Sequence, residues 1–483
     1  MKSSAALLTL AFLLGTSTAA LAAASAEEAQ RLTALFQSYA GSEPGVVKVE
    51  PAGNSYTATL DLAPYLAKIK EPGASASITP IIMTLTDQGG GKWKVDQDQP
   101  LAFTLKVDGK VDMKVSFGGI KGTGIFDEAL GAMQNSVTDY NQLAVEQAIT
   151  EAGRTTSVSY SIANMHYETT MSGSAESADG TVKLTYTGLR ETISVPPAPD
   201  GSTPPMDISI TSASGGNDGT IKGLKPKAAT EIAAWLVAHP SKDAIIADQA
   251  QLKEKIRAAL PLFSNVSATG TMNELGVNTM IGKFGAQKID ILVDANGLVD
   301  NGVLREKITI TGFTAPDGVI PPWAASLVPQ NFTIDFNIAD FNLAAPLKLI
   351  IDRLDLSKNP PLPQDMEALL VQALLPKGTV TVALGPSEVI ASIFDLQAEG
   401  SMVAGPAAMP AGQATVKLKG LDAVMAALQA APPEMGMQQV APMVIVAKGM
   451  AKTDGDYLTW KIESTPQGSV TINGIDPTKM GGQ

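Results

Sequence analysis

The chain has 483 residues, 45% of them apolar and 5% aromatic, with a formal net charge of −13 and no cysteine. The missing cysteine excludes disulfides, thiolate metal sites, cysteine nucleophiles and a lipid anchor on a cleavage-site cysteine, so an exported form must be stable by packing alone. The acidic balance repels nucleic acid and anionic headgroups, and the length predicts two to four domains at about 150 residues each.

Residues 1–26 have the order of an export signal. Lys2 gives a positive start, Ala5 to Leu14 an apolar run, and Ala24-Ser25-Ala26 an A-x-A site ahead of Glu27-Glu28. Such a segment is removed on export, which predicts a periplasmic protein cleaved near Ala26. No later stretch reaches the ~18 consecutive apolar residues of a membrane-spanning helix; Val440 to Val446 is short and contains Pro442. A spanning β-barrel calls for aromatic girdles, which the low aromatic content does not supply.

After the signal, two periodicities alternate. Phe103, Leu105 and Val107, then Val111, Met113, Val115 and Phe117, repeat every second residue around Asp108-Gly109. That pattern predicts a hairpin with one apolar and one polar face. Val182 to Tyr186, Ile308 to Thr311, Phe332 to Ile338, Val380 to Leu384 and Leu458 to Ile462 read as further strands. Asp179-Gly180, Asn296-Gly297, Asn301-Gly302 and Asp454-Gly455 read as turns. One-sided strands predict antiparallel sheet, with Phe103, Leu105, Val107, Val115 and Phe117 buried beneath helices.

Helical spacing occurs in five places. Leu130, Met133, Val137, Tyr140 and Ala144 form one stripe, with Asp127 as its cap. Ile232 and Leu236, then Leu252, Ile256 and Leu260, form a pair divided near His239-Pro240. Met366, Leu369, Leu370, Ala373 and Leu374 form another stripe, as do Leu421, Val424, Met425 and Leu428 before Pro432-Pro433.

A strand-turn-helix unit recurs. Gly119-Ile120-Lys121-Gly122 leads to Asp127–Met133, Thr220-Ile221-Lys222-Gly223 to Ala228–Leu236, and Lys417-Leu418-Lys419-Gly420 to Asp422–Leu428. Phe336-Asn337-Ile338-Ala339 before Ala344–Ile351 is a looser copy. The fold class expected is α+β: antiparallel meanders packed on one face against helices, in two similar halves, 27–260 and 261–483. The Pro-rich stretches Pro196–Pro205, Pro321-Pro322 and Pro360–Pro363 read as loops.

Reactive constellations are scarce. The two histidines, His166 in a strand and His239 at a helix end, lack an accompanying nucleophile motif, and no G-x-S-x-G elbow is present. There is no H-E-x-x-H. Asp96-Gln97-Asp98 and Asp294-Ala295-Asn296-Gly297 fall short of a calcium loop. Gly118–Gly124 lacks the Gly-Lys-Ser/Thr of a phosphate loop and reads as a strand exit. Met425, Met435, Met437, Met443 and Met450 concentrate late in the chain; methionine moulds to irregular apolar partners or fills a core. No catalytic, cofactor or metal residues, and no cofactor, are therefore predicted.

Leu458-Thr459-Trp460-Lys461-Ile462, Gly468 and Val470-Thr471-Ile472-Asn473-Gly474, after Val416 to Leu428 and an apolar helix with Met443 and Met450, resemble a family of exported alphaproteobacterial proteins known only as a domain of unknown function. The resemblance implies location and size, not chemistry. The functional expectation is a non-enzymatic envelope protein binding lipid or another apolar ligand. The alternative is a structural or interaction protein with a closed core, partnered by other envelope proteins.

Overall fold

The computed structural model describes residues 23–67, 73–151, 153–198, 201–202, 204–239, 241–435 and 440–477. The residues before Ala23, read above as an export signal, lie outside this set. The chain opens with helix α1 (Ala26–Ala40). Ser25 caps it, its Oγ accepting from Glu28 N at 3.1 Å, and Glu27 and Glu28 favour the positive helix start.

A twenty-stranded antiparallel sheet follows. Its first strands are β1 (Val47–Ala52), β2 (Ser55–Leu60), β3 (Ala74–Ile78) and β4 (Ile81–Asp87), with the short helix α2 (Ala63–Leu66) between β2 and β3. The long strands are β5 (Lys92–Val107), β6 (Val111–Asp127), β7 (Ala132–Glu151), β8 (Arg154–Gly173), β9 (Ala178–Val195) and β10 (Met206–Leu224). Helices α3 (Pro226–Ala238), α4 (Lys242–Ala247) and α5 (Gln249–Ala259) intervene. The meander then resumes with β11 (Asn265–Thr279), β12 (Gly282–Asn296), β13 (Gly302–Thr311) and β14 (Pro329–Phe341). After α6 (Ala344–Arg353) and α7 (Met366–Leu374) come β15 (Val380–Ala391), β16 (Asp395–Gly405) and β17 (Ala408–Lys419). Helices α8 (Leu421–Gln429) and α9 (Val440–Met450) precede β18 (Lys452–Asp454), β19 (Tyr457–Ser464) and β20 (Val470–Ile472).

From β5 to β17 each strand pairs with the next in sequence, and β10 pairs with β11, so the sheet runs unbroken past residue 261. At about 4.8 Å per strand the ladder extends about 80 Å. The edge strands β1 and β20 do not pair with each other, so the sheet is open. The chain's accessible surface is 28269 Å², against about 17,000 Å² for a compact monomer of 50 kDa.

The helices after β10 and after β14 leave from the same rim, because Lys222 pairs with Asn265, Ala295 with Leu304 and Ala339 with Thr381. There α3 contacts α1 and α5, and α5 continues the row to α6 and α7. The compact core lies at the first end of the sheet, where Leu32 of α1 packs with Val49, Tyr56, Ala58, Leu85, Trp93 and Phe126. Arg31 clamps this helix down: it donates to both oxygens of Glu128 at 2.8 and 2.7 Å, and Trp93 Nε1 donates to Glu128 at 2.6 Å.

Most predicted strands and helices fall where expected, and the Asp108-Gly109 hairpin closes as a three-residue turn with Gly109 at φ 69°. Phe103, Leu105, Val107, Val115 and Phe117 share one face as expected, but they are half-buried rather than buried beneath helices. Three further expectations are corrected. The stripe from Leu130 to Ala144 is not a helix; from Ala132 it is strand β7. At Gln142, φ 52°, the alternation breaks without a change of register, which switches the inward positions from Ser136, Thr138 and Tyr140 to Leu143, Val145 and Gln147. Two alternations out of phase mimic a helical spacing. Consequently Gly119–Gly122 lies within β6 and leads to no helix. Asp179-Gly180 lies inside β9, the turn falling at Ser174–Ser177 instead.

Two predictions test the α1 anchor. Leu85→Ala, at a fully buried position, should cost about 2–5 kcal/mol in chemical denaturation, whereas Ile82→Ala, half-exposed, should fall within about 0.5 kcal/mol. Hydrogen bonding to Arg31 holds the Glu128 carboxyl below its ordinary 4.5. Its stabilisation is complete above 4.5 and lost as pH falls through the lower folded value. Glu128→Gln should flatten that part of the stability–pH curve.

Candidate functional site: an open apolar sheet face

Because strand side chains alternate, the register fixes which residues share the face that α1 covers at the first end. Followed across the ladder, that face reads Trp93 and Phe126, then Ile120 and Tyr140, then Tyr160, Ile193 and Ile210. It continues through Val277, Phe284, Ile289 and Ile310. Toward the far end one row runs Val293, Glu306, Phe336, Leu384, Gly400, Ala414, Ile462 and Ile472. The next row holds Leu304, Ile338, Val382, Met402 and Gly412.

Away from strand ends and bulges, this face carries two charged side chains from β5 to β20, Glu191 and Glu306, and no Lys, Arg or Asp. The opposite face carries the ions and pairs them. Lys94 meets Asp96 at 2.8 Å, Lys288 meets Asp290 at 2.9 Å, and Arg305 meets Asp335 at 2.6 Å. Asp335 is buried, and the Arg305 guanidinium holds its carboxyl below the ordinary value.

A sheet face sealed under a second layer buries its apolar side chains fully. Here the apolar inward residues from β13 to β17, apart from Ala391 at the end of β15, are not buried. Ile291 is 40%, Ile334 47%, Phe336 38% and Met402 41% exposed. Between β14 and β19 the face sinks into a trough of about 260 Å³ walled by Phe336, Val382, Leu384, Met402 and Ile462. Its floor is Gly400, Gly412 and Ala414. A Cβ on Gly412 would stand 2.1 Å from Ser401 O, so the depression depends on a residue without a side chain.

The residues singled out in the sequence lie elsewhere. His166 is on the opposite, polar face, its Nδ1 2.7 Å from Asp139 and its Nε2 2.9 Å from Glu168. His239 caps α3, stacked on Trp235 at 3.8 Å and 3.0 Å from Asp248. The two histidines share no site. Gly122 and Gly124 lie mid-strand, where a Cβ on Gly124 would meet Asn135 O at 2.4 Å. Among the described residues no group of His, Asp and Glu converges for a metal ion. Of the late methionines, Met450 is buried and Met435 exposed; Met437 and the side chain of Met443 lie outside the described residues. Of the methionines on the apolar face, Met113 belongs to the alternating run read from the sequence, whereas Met165, Met272 and Met402 went unremarked there.

No helix among the described residues is long and apolar enough to cross a membrane. Compared with known proteins, no family model matches this chain, no curated protein matches its sequence, and no solved structure matches its fold.

His166 gives a pH signature for the polar face. Asp139 first, then Glu168, raise its pKa above the ordinary 6.5. Its contribution to stability is therefore complete below 6.5 and lost as pH rises through the higher folded value. An NMR titration of the imidazole should show a midpoint above 6.5, and Asp139→Asn should lower it.

Proposed function

We propose that this protein is an exported, non-enzymatic carrier that holds an apolar ligand, the acyl chain of a lipid, along the inner face of its sheet. One observation carries the reading: a continuous apolar face, open to solvent across β13–β17, with ionic residues confined almost wholly to the other side. Exposed contiguous apolar surface on this scale marks a ligand or partner site in a soluble protein. The glycine-floored trough supports a ligand that is slender and featureless, as an alkyl chain is. Adaptable methionines along the face support a ligand of variable shape.

The test is extraction of the purified protein with organic solvent followed by mass spectrometry, with binding of a fluorescent fatty-acid probe measured in parallel. Lipid is expected in stoichiometric amount. Ile334→Lys and Met402→Lys should weaken probe binding at least tenfold, while Val403→Lys, also exposed but on the polar face, leaves it unchanged. Equal binding by all three variants, with no extracted lipid, sinks the reading.

The export reading also bears on where a leader would be cut. Ser25 caps α1, and Ala24 N donates to Gly53 O at 3.0 Å. Cleavage after Ala26 would remove that cap, a loss of about 1 kcal/mol. We infer a mature N-terminus at or before Ala24, which Ala20-Leu21-Ala22 permits as an A-x-A site. Intact-mass measurement of the secreted protein decides between the two sites.

A further inference from the structure

The two carboxylates on the apolar face are not equivalent. Glu306 is exposed, beside the open trough. Glu191 is half-buried on β9, directly opposite Tyr160 of β8 and Ile210 of β10, with Leu189 and Ile193 as its inward neighbours along the strand. Among the described residues Glu191 has no hydrogen-bond or ion-pair partner, and Arg190 beside it points to the polar face.

An apolar ligand lying over this face would strip Glu191 of water. An uncompensated carboxylate in that position is costly, and the cost falls when the ligand supplies a positive charge. The surroundings suit such a charge. Directly opposed residues place their Cβ atoms about 5 Å apart, so Tyr160 is the cross-strand neighbour of the carboxylate. The Tyr186 hydroxyl lies 3.5 Å from Ser212 Oγ, and Ser212 faces Leu189, next inward from Glu191. A carboxylate opposed to one tyrosine, with a second farther along the same face, offers ionic attraction together with rings for cation–π attraction. Burial, together with nearby Tyr186 and Glu191, also raises the Tyr160 pKa.

Resting on the carrier reading above, we infer that Glu191, Tyr160 and Tyr186 form a headgroup site for a cationic amphiphile whose tail lies on the apolar face. The class of ligand is an amine- or quaternary-ammonium-bearing lipid. An anionic amphiphile meets repulsion at the same point.

Isothermal titration of the purified mature protein with three dodecyl probes, each below its micelle concentration, tests the site: dodecyltrimethylammonium, dodecyl maltoside and dodecanoate. The cationic probe is expected to bind at least tenfold more tightly than the neutral one, and dodecanoate most weakly. Glu191→Gln should abolish the preference for the cation and leave dodecyl maltoside affinity unchanged, whereas Glu306→Gln should preserve the preference. Circular dichroism checks that both variants fold. A cation preference that survives Glu191→Gln overturns the site, since the net charge of −13 alone then accounts for it. Equal binding of the cationic and neutral probes by the unmodified protein also overturns it, while leaving the apolar carrier intact. Binding of none of the three ends the carrier reading as well.

Discussion

The structure depends on the separation of charge from apolar surface across the thickness of a single layer. Each strand sends alternate side chains to opposite faces, and the ladder keeps those faces in phase over about 80 Å. Where the alternation breaks, as at Gln142 and Glu274, the paired strands keep their register and break theirs at the opposed position, so the faces stay true. The polar side is held by lateral ion pairs such as Arg305–Asp335. Among the described residues the apolar side has no such ties and no complete second layer.

That asymmetry divides the sheet into two regimes. At the first end α1 completes a conventional core, with Leu32 and Leu85 fully buried and Arg31 clamped to Glu128. Beyond it the inward face is only partly covered, and Ile334 and Met402 stand in contact with solvent. The hydrophobic effect penalises such exposure by roughly 25 cal/mol per Å². A long open apolar face is therefore expensive to maintain unless something covers it, and a mobile alkyl chain covers it without needing a fixed shape.

The carrier reading also accounts for what the chain lacks. A lipid chain offers no hydrogen bonds to satisfy, so a surface made for it needs few polar groups, and each one present is informative. Glu191 is informative for that reason. His166 and His239, the conspicuous titratable residues in the sequence, are held by carboxylates on the polar face and at a helix end, where they serve local structure.

Sequence by itself determined the strands with clean alternation, such as Val111 to Phe117, and the helices with isolated apolar stripes, such as Met366 to Leu374. Both are local periodicities, and neighbouring residues express them without help from distant ones. It did not determine β7, because the left-handed backbone at Gln142 broke the alternation and left a false helical spacing. Only tertiary structure decided that the sheet is continuous and that its inner face lies largely uncovered. Val293, Phe336, Leu384 and Ile462 are up to 169 residues apart in the chain and become one row solely through strand register. Alternation states that a side chain is apolar and faces one way; whether another layer meets it there is settled by packing between distant segments, which no local pattern records.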